Sequence, residues 1–307
     1  MVCYNGSDLT QVHFMFLKLK NRLRGRLLGG RFRQGILDDH AAVSRLGNLE
    51  YLLRHPDLAA PGNKPPFNAF EFSCFSQNGE DGLVLYLLSR IGAGSHYVVE
   101  IGIEDGRQCN SANLVLNFGW RGCVIEASAE WAEKARQYFA KCRATERLHL
   151  INAAAKPENI RELLGQAGVP AQLDVLSIDI DSFDYWLWKS IDTISPRLVV
   201  IEYNASFGPE RSVTVPYSPA GLPVSRYYHG ASIAALARLG KHKGYVLAGC
   251  DNKGVNAFFV RQELAAAAGI DPVSPEQAWR PHFRRSRKLS TARQFEAISH
   301  LPLQQID

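Results

Sequence analysis

The residues best suited to chemistry in this sequence are acidic, and they recur at the ends of apolar runs. Tyr97 to Gly106 reads Tyr-Val-Val-Glu-Ile-Gly-Ile-Glu-Asp-Gly. Gly102 and Gly106 allow a sharp turn and close approach to a ligand, while Glu100, Glu104 and Asp105 supply negative charge beside it. Glu126 follows about twenty residues later, the spacing at which nucleotide-binding folds place a carboxylate on a ribose diol. The densest cluster is Asp179-Ile180-Asp181-Ser182-Phe183-Asp184. Paired carboxylates there could coordinate a divalent ion, act as a general base or face a cation. Asp184 is placed to cap a following helix. Glu202, Tyr203 and Asn204 come next, and His229 lies beyond them. Asp179, Asp181 and His229 are the candidate catalytic residues, and Asp181, Glu202 and Asn204 are a candidate Mg²⁺ set. A lone histidine is more often structural, and His229, which closes an irregular segment, is included for its expected place on the ligand side of the sheet.

These residues need a scaffold that brings strand ends together. Tyr97, Val98, Val99 and Ile101 form a near-continuous apolar run, as in a parallel strand covered on both faces. Further strands are expected at 122–126, 148–152, 174–179 and 197–203, with helices at 83–91, 109–118, 128–141, 157–167 and 183–192. Strand, helix, strand at this spacing implies right-handed crossovers and a parallel sheet. Residues 204–229 break the rhythm with Pro209, Pro216, Pro219 and Pro223, as a substrate loop or lid does. A helix at 230–242 and strands at 244–249 and 255–260 follow, the last two joined by Asp251-Asn252-Lys253-Gly254 as a hairpin turn.

Three regions result: a helical basic N-terminal appendage over 1–65, a central domain over 66–262 and a helical basic tail over 263–307. Phe16, Leu19, Leu23 and Leu27 recur at helical spacing opposite Lys18, Arg22 and Arg26, which describes a basic amphipathic helix. Residues 16–33 could therefore lie on an anionic membrane surface, grip an acidic partner, or pack on the body or a second subunit. Ala41 to Arg54 reads as another helix, followed by a proline-bearing linker. Without the seven basic residues between Lys18 and Arg33, the formal charge of +5 falls to −2, so the body is not itself basic. Arg280, Arg284, Arg285, Arg287 and Lys288 form a second basic cluster, either a second basic patch or a plain solvated face.

At 307 residues, with 46% hydrophobic and 21% charged residues, the chain is globular. It has no run of the roughly 18 to 20 apolar residues that a membrane span needs. The N-terminus does not have the order of a signal peptide. Six cysteines without paired spacing suggest neither a zinc site nor a disulfide framework. A reducing cytoplasm is the expected compartment, with membrane-peripheral attachment through residues 16–33 as a variant.

Five alternating units, a helix and a closing hairpin make an α/β, three-layer Rossmann-like plan. This is the plan of a class I methyltransferase: a mostly parallel seven-stranded sheet with a C-terminal antiparallel hairpin. Gly102 and Gly106 are separated by three residues, so the Gly-x-Gly-x-x-Gly fingerprint is absent, and a pyrophosphate would meet an acidic loop. S-adenosylmethionine instead needs a carboxylate for its ribose diol, acids near its sulfonium and donors for its methionine end. Gln77, Glu100, Gly102, Asp105, Gly106, Glu126, Asn152 and Asp179 are the candidate cofactor residues, with Asn152 at the adenine edge and Glu80 beside Gln77.

Four segments carry a resemblance. Phe75-Ser76-Gln77-Asn78-Gly79-Glu80-Asp81, Val99 to Gly106, Gly119 to Glu126 and Ser177-Ile178-Asp179-Ile180-Asp181 are similar to those of the FkbM-type S-adenosylmethionine-dependent methyltransferases. The resemblance covers about residues 72 to 260 and implies O-methylation of a sugar or secondary metabolite. It carries cofactor roles onto Glu100, Gly102, Asp105 and Glu126. The family's Asp-Val-Glu-Gly after the fourth strand is here Asp179-Ile180-Asp181-Ser182. The expected partner is a small-molecule or glycan acceptor, and a homo-oligomer is compatible with the sequence. The rival readings are a non-catalytic binding module on the same fold and an RNA methyltransferase drawn from the arginine clusters.

Overall fold

Tyr97–Ile101 forms β1, buried along all but its first residue. Gln172–Ile178 (β4) and Ser195–Glu202 (β5) are buried almost as continuously. Unbroken burial requires cover on both faces, which only a central parallel sheet receives. The computed structural model describes residues 66–221 and 225–307. The basic helix at 16–33, the helix at 41–54 and the linker lie outside the described residues.

The sheet has seven strands in the order β3-β2-β1-β4-β5-β8-β7. Arg121–Glu126 (β2) and Leu148–Asn152 (β3) extend one side of β1 in parallel. β4 and β5 extend the other side, also in parallel. Asn256–Arg261 (β8) then runs antiparallel against β5, with Glu202 opposite Asn256, and Tyr245–Cys250 (β7) closes the edge. The chain builds outward from β1 in one direction, returns, and builds outward in the other. The crevice between β1 and β4 is therefore the topological switch point, where such sheets hold their ligands. This is the α/β, mostly parallel seven-stranded architecture with a closing hairpin that the sequence predicts.

The crossover helices are Glu80–Ile91 (α1, ahead of β1), Ala112–Asn117 (α2), Ala129–Lys141 (α3), Ile160–Gln166 (α4), Asp184–Ser190 (α5) and Ile233–His242 (α6). Ser128 and Ser232 cap α3 and α6, accepting from the amides of Trp131 and Ala235. The boundaries depart from the sequence expectation by a few residues. One departure matters for the site, because β4 stops at Ile178 and leaves Asp179 in the turn.

Residues 204–229 hold a 3-10 turn, Ala205–Phe207, and a short strand, Val213–Thr214 (β6). β6 pairs antiparallel with Gln304–Gln305 (β9) from the end of the chain, an arrangement the sequence reading did not anticipate. Between β8 and β9 lie Gln262–Ala268 (α7), Pro275–Ala278 (α8), Phe283–Ser286 (α9) and Thr291–Glu296 (α10). This segment is tied to 204–229 by Ser206 to Gln294, Ser212 to Ile306 and Tyr228 to Pro302. Among the described residues no helix is long and apolar enough to cross a membrane.

The β7–β8 turn is organised by Asp251, whose carboxylate accepts from the amides of Lys253, Val255 and Asn256. Burial, and then the neighbouring Glu80, push this carboxyl up to about 7. A folded-state pKa above the unfolded value of 3.8 means that the folded chain holds the proton longer. The resulting stabilisation is complete below that unfolded value and is lost as the pH rises toward 7. The urea midpoint of the wild type relative to Asp251→Asn should therefore fall between pH 5 and pH 8; a difference that rises with pH would contradict this assignment.

Candidate functional site

Gly102 is the turn on which the site is built. Its φ is +86°, and a Cβ there would lie 1.6 Å from the carbonyl oxygen of Asp179. The end of β4 thus passes directly over the end of β1, and no side chain fits between them. Asp179 N donates to Ile101 O and Gly102 N to Ile125 O, each at 2.9 Å, so the exits of β1, β2 and β4 are locked together.

A cavity of about 530 Å³ opens over these exits. Its acidic wall carries Glu104, Glu126, Asp179, Asp181 and Glu202; its other wall includes His282, Arg284 and Arg285 from the C-terminal segment. Glu104 and Asp181 have positive φ, +48° and +55°, a conformation that non-glycine residues adopt only when their surroundings hold them there. Asp184 supplies that hold for the second turn: its carboxylate accepts from Ile180 N at 2.9 Å and Ser182 N at 3.2 Å.

Glu126 lines this cavity and is held by three backbone amides. Oε2 accepts from Glu104 N at 2.8 Å and Ile103 N at 3.2 Å, and Oε1 accepts from Ser128 N at 2.8 Å. An ionised carboxylate has about four acceptor positions, so one stays open toward the cavity. Beside it are Trp131, 38% exposed, and the small side chains of Ala153 and Ala155. Together they offer a flat apolar wall.

Two carboxylates at the floor are differently placed. Asp179 and Glu202 receive no hydrogen bond from the described residues. Glu202 is 6% exposed, with His229 Nε2 at 3.7 Å and Arg285 Nη2 at 4.0 Å. Burial pushes both carboxyls well above the ordinary range. The negative charges of Glu202 and Asp184 add to this at Asp179, and those of Asp184 and Asp181 at Glu202, where Arg285 opposes the rise.

The expected site residues divide into two groups. Gln77, Gly102, Glu126, Asp179, Asp181 and Glu202 line the main cavity. Glu100 does not; it accepts from Asn110 N and Ser111 N at the start of α2 and borders a smaller adjoining cavity. Asp105 is bound to Arg107, and Gly106 is required because a Cβ would meet the Phe139 ring at 2.6 Å. Asn152 donates to the carbonyls of Glu126 and Ala127 and braces that loop. Asp105, Gly106 and Asn152 thus shape the wall without lining it.

His229 and Asn204 depart from their expected roles. His229 is buried, with Nδ1 2.9 Å from Ser225 O and Nε2 3.2 Å from Arg285 Nη2. A guanidinium only donates, so Nε2 is the acceptor and Nδ1 carries the proton. Burial, and then Arg285, hold the ring below its usual range. Both nitrogens are engaged, and the ring is not free to act as a base. Asn204 spends its amide on the carbonyls of Tyr227 and His229, and its Oδ1 accepts from Ser206 N and Arg285 Nη1, each at 3.0 Å. Arg285 itself, 9% exposed, was not singled out from its basic cluster, because nothing in the local sequence separates one arginine there from the others.

Acidic groups do converge: Asp181, Glu202 and His229 offer ligand atoms within 4.8 Å of one another, as do Asp179, Asp184 and Glu202. Mg²⁺ requires near-octahedral oxygen ligation. Here one donor is a histidine whose lone pair faces a guanidinium, Asn204 is already bonded, and Arg285 places positive charge beside Glu202. The expected set of Asp181, Glu202 and Asn204 does not fit Mg²⁺.

No protein-family model and no curated protein matches the chain. Solved structures resemble it at low identity. An O-methyltransferase from Bacillus cereus in complex with S-adenosylhomocysteine is 14% identical, over 78% of this chain and 94% of that one, with a TM-score of 0.38. The O-methyltransferase TomG from Streptomyces achromogenes, in complex with S-adenosylmethionine, is 18% identical over 69% and 86%, with a TM-score of 0.37. TrmK from M. capricolum with S-adenosylhomocysteine is 10% identical over 57% and 65%, with a TM-score of 0.35. At such values the activities of these proteins do not transfer to this chain.

If Arg285 is the cation of this cluster, wild-type protein titrated with Mn²⁺ should show no saturable binding by electron paramagnetic resonance. Arg285→Met, which vacates the gap between Glu202 and His229, should gain a site. Saturable micromolar binding to the wild type would reverse the conclusion, and circular dichroism verifies that the variant is folded.

Proposed function

We propose that the chain is an S-adenosylmethionine-dependent methyltransferase acting on a hydroxyl oxygen of a sugar or glycosylated small molecule. The observation that carries this reading is Glu126, fixed by three amides at the exit of β2 with one acceptor position facing the cavity at the switch point. That is a receptor for one ribose hydroxyl, not the two that a free carboxylate would take. Trp131, Ala153 and Ala155 would face the adenine, and Glu104, Asp179 and Asp181 the positive charge. The acidity of this wall suits a sulfonium and opposes a pyrophosphate.

When bound, S-adenosylmethionine supplies a methyl group that moves from the sulfonium sulfur to the acceptor oxygen and leaves a neutral thioether. The residues of the chain must orient the hydroxyl and receive its proton. Asp179 and Glu202 suit this task because a carboxyl with a raised pKa is a stronger base once ionised, and a nearby cation favours that ionised form. Asp181, more exposed, is placed to accept a hydrogen bond from the acceptor. His229 holds Arg285 against Glu202 and acts through it.

The FkbM-type assignment and the carbohydrate acceptor rest on the four motif segments. Residues 16–33 are proposed as a basic docking segment for an anionic surface or acidic partner, outside the catalytic body. A reducing cytoplasm is the proposed compartment, in keeping with Cys109, Cys123 and Cys250 as buried free thiols.

Isothermal calorimetry with S-adenosylhomocysteine tests the central claim. The wild type should bind it, and Glu126→Ala should bind at least about tenfold more weakly, the worth of one hydrogen bond to a charged group. Glu126→Gln, which preserves size, should show the same direction of change. Absence of binding to the wild type would end the methyltransferase reading.

A further inference from the structure

The two walls of the main cavity are built differently. Its acids sit at strand exits, whereas His282, Phe283, Arg284 and Arg285 are consecutive residues at the start of α9. Neighbouring positions on a helix point about 100° apart, so the two arginines diverge. Arg285 turns inward to Glu202, His229 and Asn204. Arg284 is exposed and forms no ion pair with a described residue; its guanidinium lies 5.2 Å from the centroid of the Phe283 ring.

Lys253 comes to the same ring from the β7–β8 turn. Its ammonium lies 5.3 Å from the Phe283 centroid, and it too has no acidic partner among the described residues. The backbone fixes this meeting. Phe283 N donates to Lys253 O at 2.9 Å, and Gly254, at φ +70°, packs so closely that a Cβ would meet Arg280 O at 2.5 Å. Two cations brought onto one ring repel each other, and no described carboxylate offsets them. His282 adds a donor beside them. Its Nδ1 accepts from Arg284 N at 3.2 Å and Arg285 N at 3.4 Å, so Nε2 carries the proton and makes no hydrogen bond to another described residue. Burial, and then Arg285, hold this ring down to about 4, which leaves it a neutral donor at neutral pH.

We propose that this corner of the cavity binds a phosphate group on the methyl acceptor, with Arg284 and Lys253 as its cations and His282 Nε2 as a neutral donor, so that the acceptor is a phosphorylated sugar. The inference rests on the methyltransferase reading and narrows its acceptor. A phosphate monoester carries close to two negative charges at neutral pH, which matches two cations without acidic partners, and a guanidinium can hold two of its oxygens at once. A carboxylate would answer only one of the two cations. α9 then relates the two ends of the acceptor. Arg285 marks Glu202, a carboxylate suited to receive the hydroxyl proton, and Arg284, the residue before it, marks the phosphate. The phosphate lies away from the acidic wall of Glu104, Glu126 and Asp179, so it does not compete with the place assigned to S-adenosylmethionine.

Calorimetry on the full chain tests this with inorganic phosphate, glucose 1-phosphate, glucuronate and glucose, first without cofactor and then with saturating S-adenosylhomocysteine. Inorganic phosphate and glucose 1-phosphate should bind saturably at millimolar concentration or below, glucuronate more weakly, and glucose not measurably. Arg284→Ala should weaken both phosphate ligands by about tenfold, Lys253→Ala by a smaller factor, and the double variant should abolish their binding, with circular dichroism verifying the fold. S-adenosylhomocysteine should leave the phosphate affinity unchanged. Absence of saturable phosphate binding to the wild type, or binding that the double variant retains, would overturn the subsite. Displacement of phosphate by S-adenosylhomocysteine would assign these residues to the cofactor, and a short oligoribonucleotide that binds more tightly than glucose 1-phosphate would put RNA in place of the sugar; either result overturns the proposal. Because the first titrations contain no cofactor, binding of phosphate without any binding of S-adenosylhomocysteine would overturn the methyltransferase reading and uphold the phosphate site.

Discussion

The contact between the Asp179 carbonyl and the α-carbon of Gly102 is the constraint from which the rest of this site follows. A methyl group at residue 102 would overlap that oxygen at 1.6 Å, so β1 must end on glycine if β4 is to reach beside it. Because the two strands meet so closely, the amides of Asp179 and Gly102 can close onto Ile101 and Ile125. Three strand exits then behave as one rigid edge, and the carboxylates at 104, 126 and 179 share a common frame instead of being carried on independent loops.

That frame concentrates negative charge where burial should discourage it. Two carboxylates without donors and two left-handed turns are all costly in an empty site. They are grouped around one crevice, while the acids that serve only architecture, Asp81, Asp174, Asp184 and Asp251, are each bonded to backbone amides. Local structure accounts for those bonded acids; Glu126 combines three amide bonds with a place in the cavity lining, and nothing in the fold accounts for the unbonded Asp179 and Glu202.

Most of the sheet was legible in the sequence because its strands are long apolar runs and its helices have strong periodicity. The placement of Gly102, Glu126 and Asp179 at strand exits was legible for a related reason: each ends or follows such a run. Asn152 also ends a strand, but at the sheet edge, where solvent and nearby carbonyls occupy it, so the same rule misplaced it. His229 and Asn204 were read as free groups because their partner, Arg285, is distant in sequence and has no local signal. β6 and β9 are too short for any periodicity to show.

The pairing of β9 with β6 has a consequence for the order in which the protein can be assembled. All seven strands of the main sheet precede residue 262, so a growing chain can complete that sheet before α9 has been made, although Ile306 of the core comes later. Arg285 reaches Glu202 and His229 only after that, and the strand that anchors its segment to 213–214 comes later still. A nascent chain thus passes through a stage in which the acidic floor exists without its guanidinium. The basic wall of the cavity is thus supplied by residues later in the chain than its acidic wall.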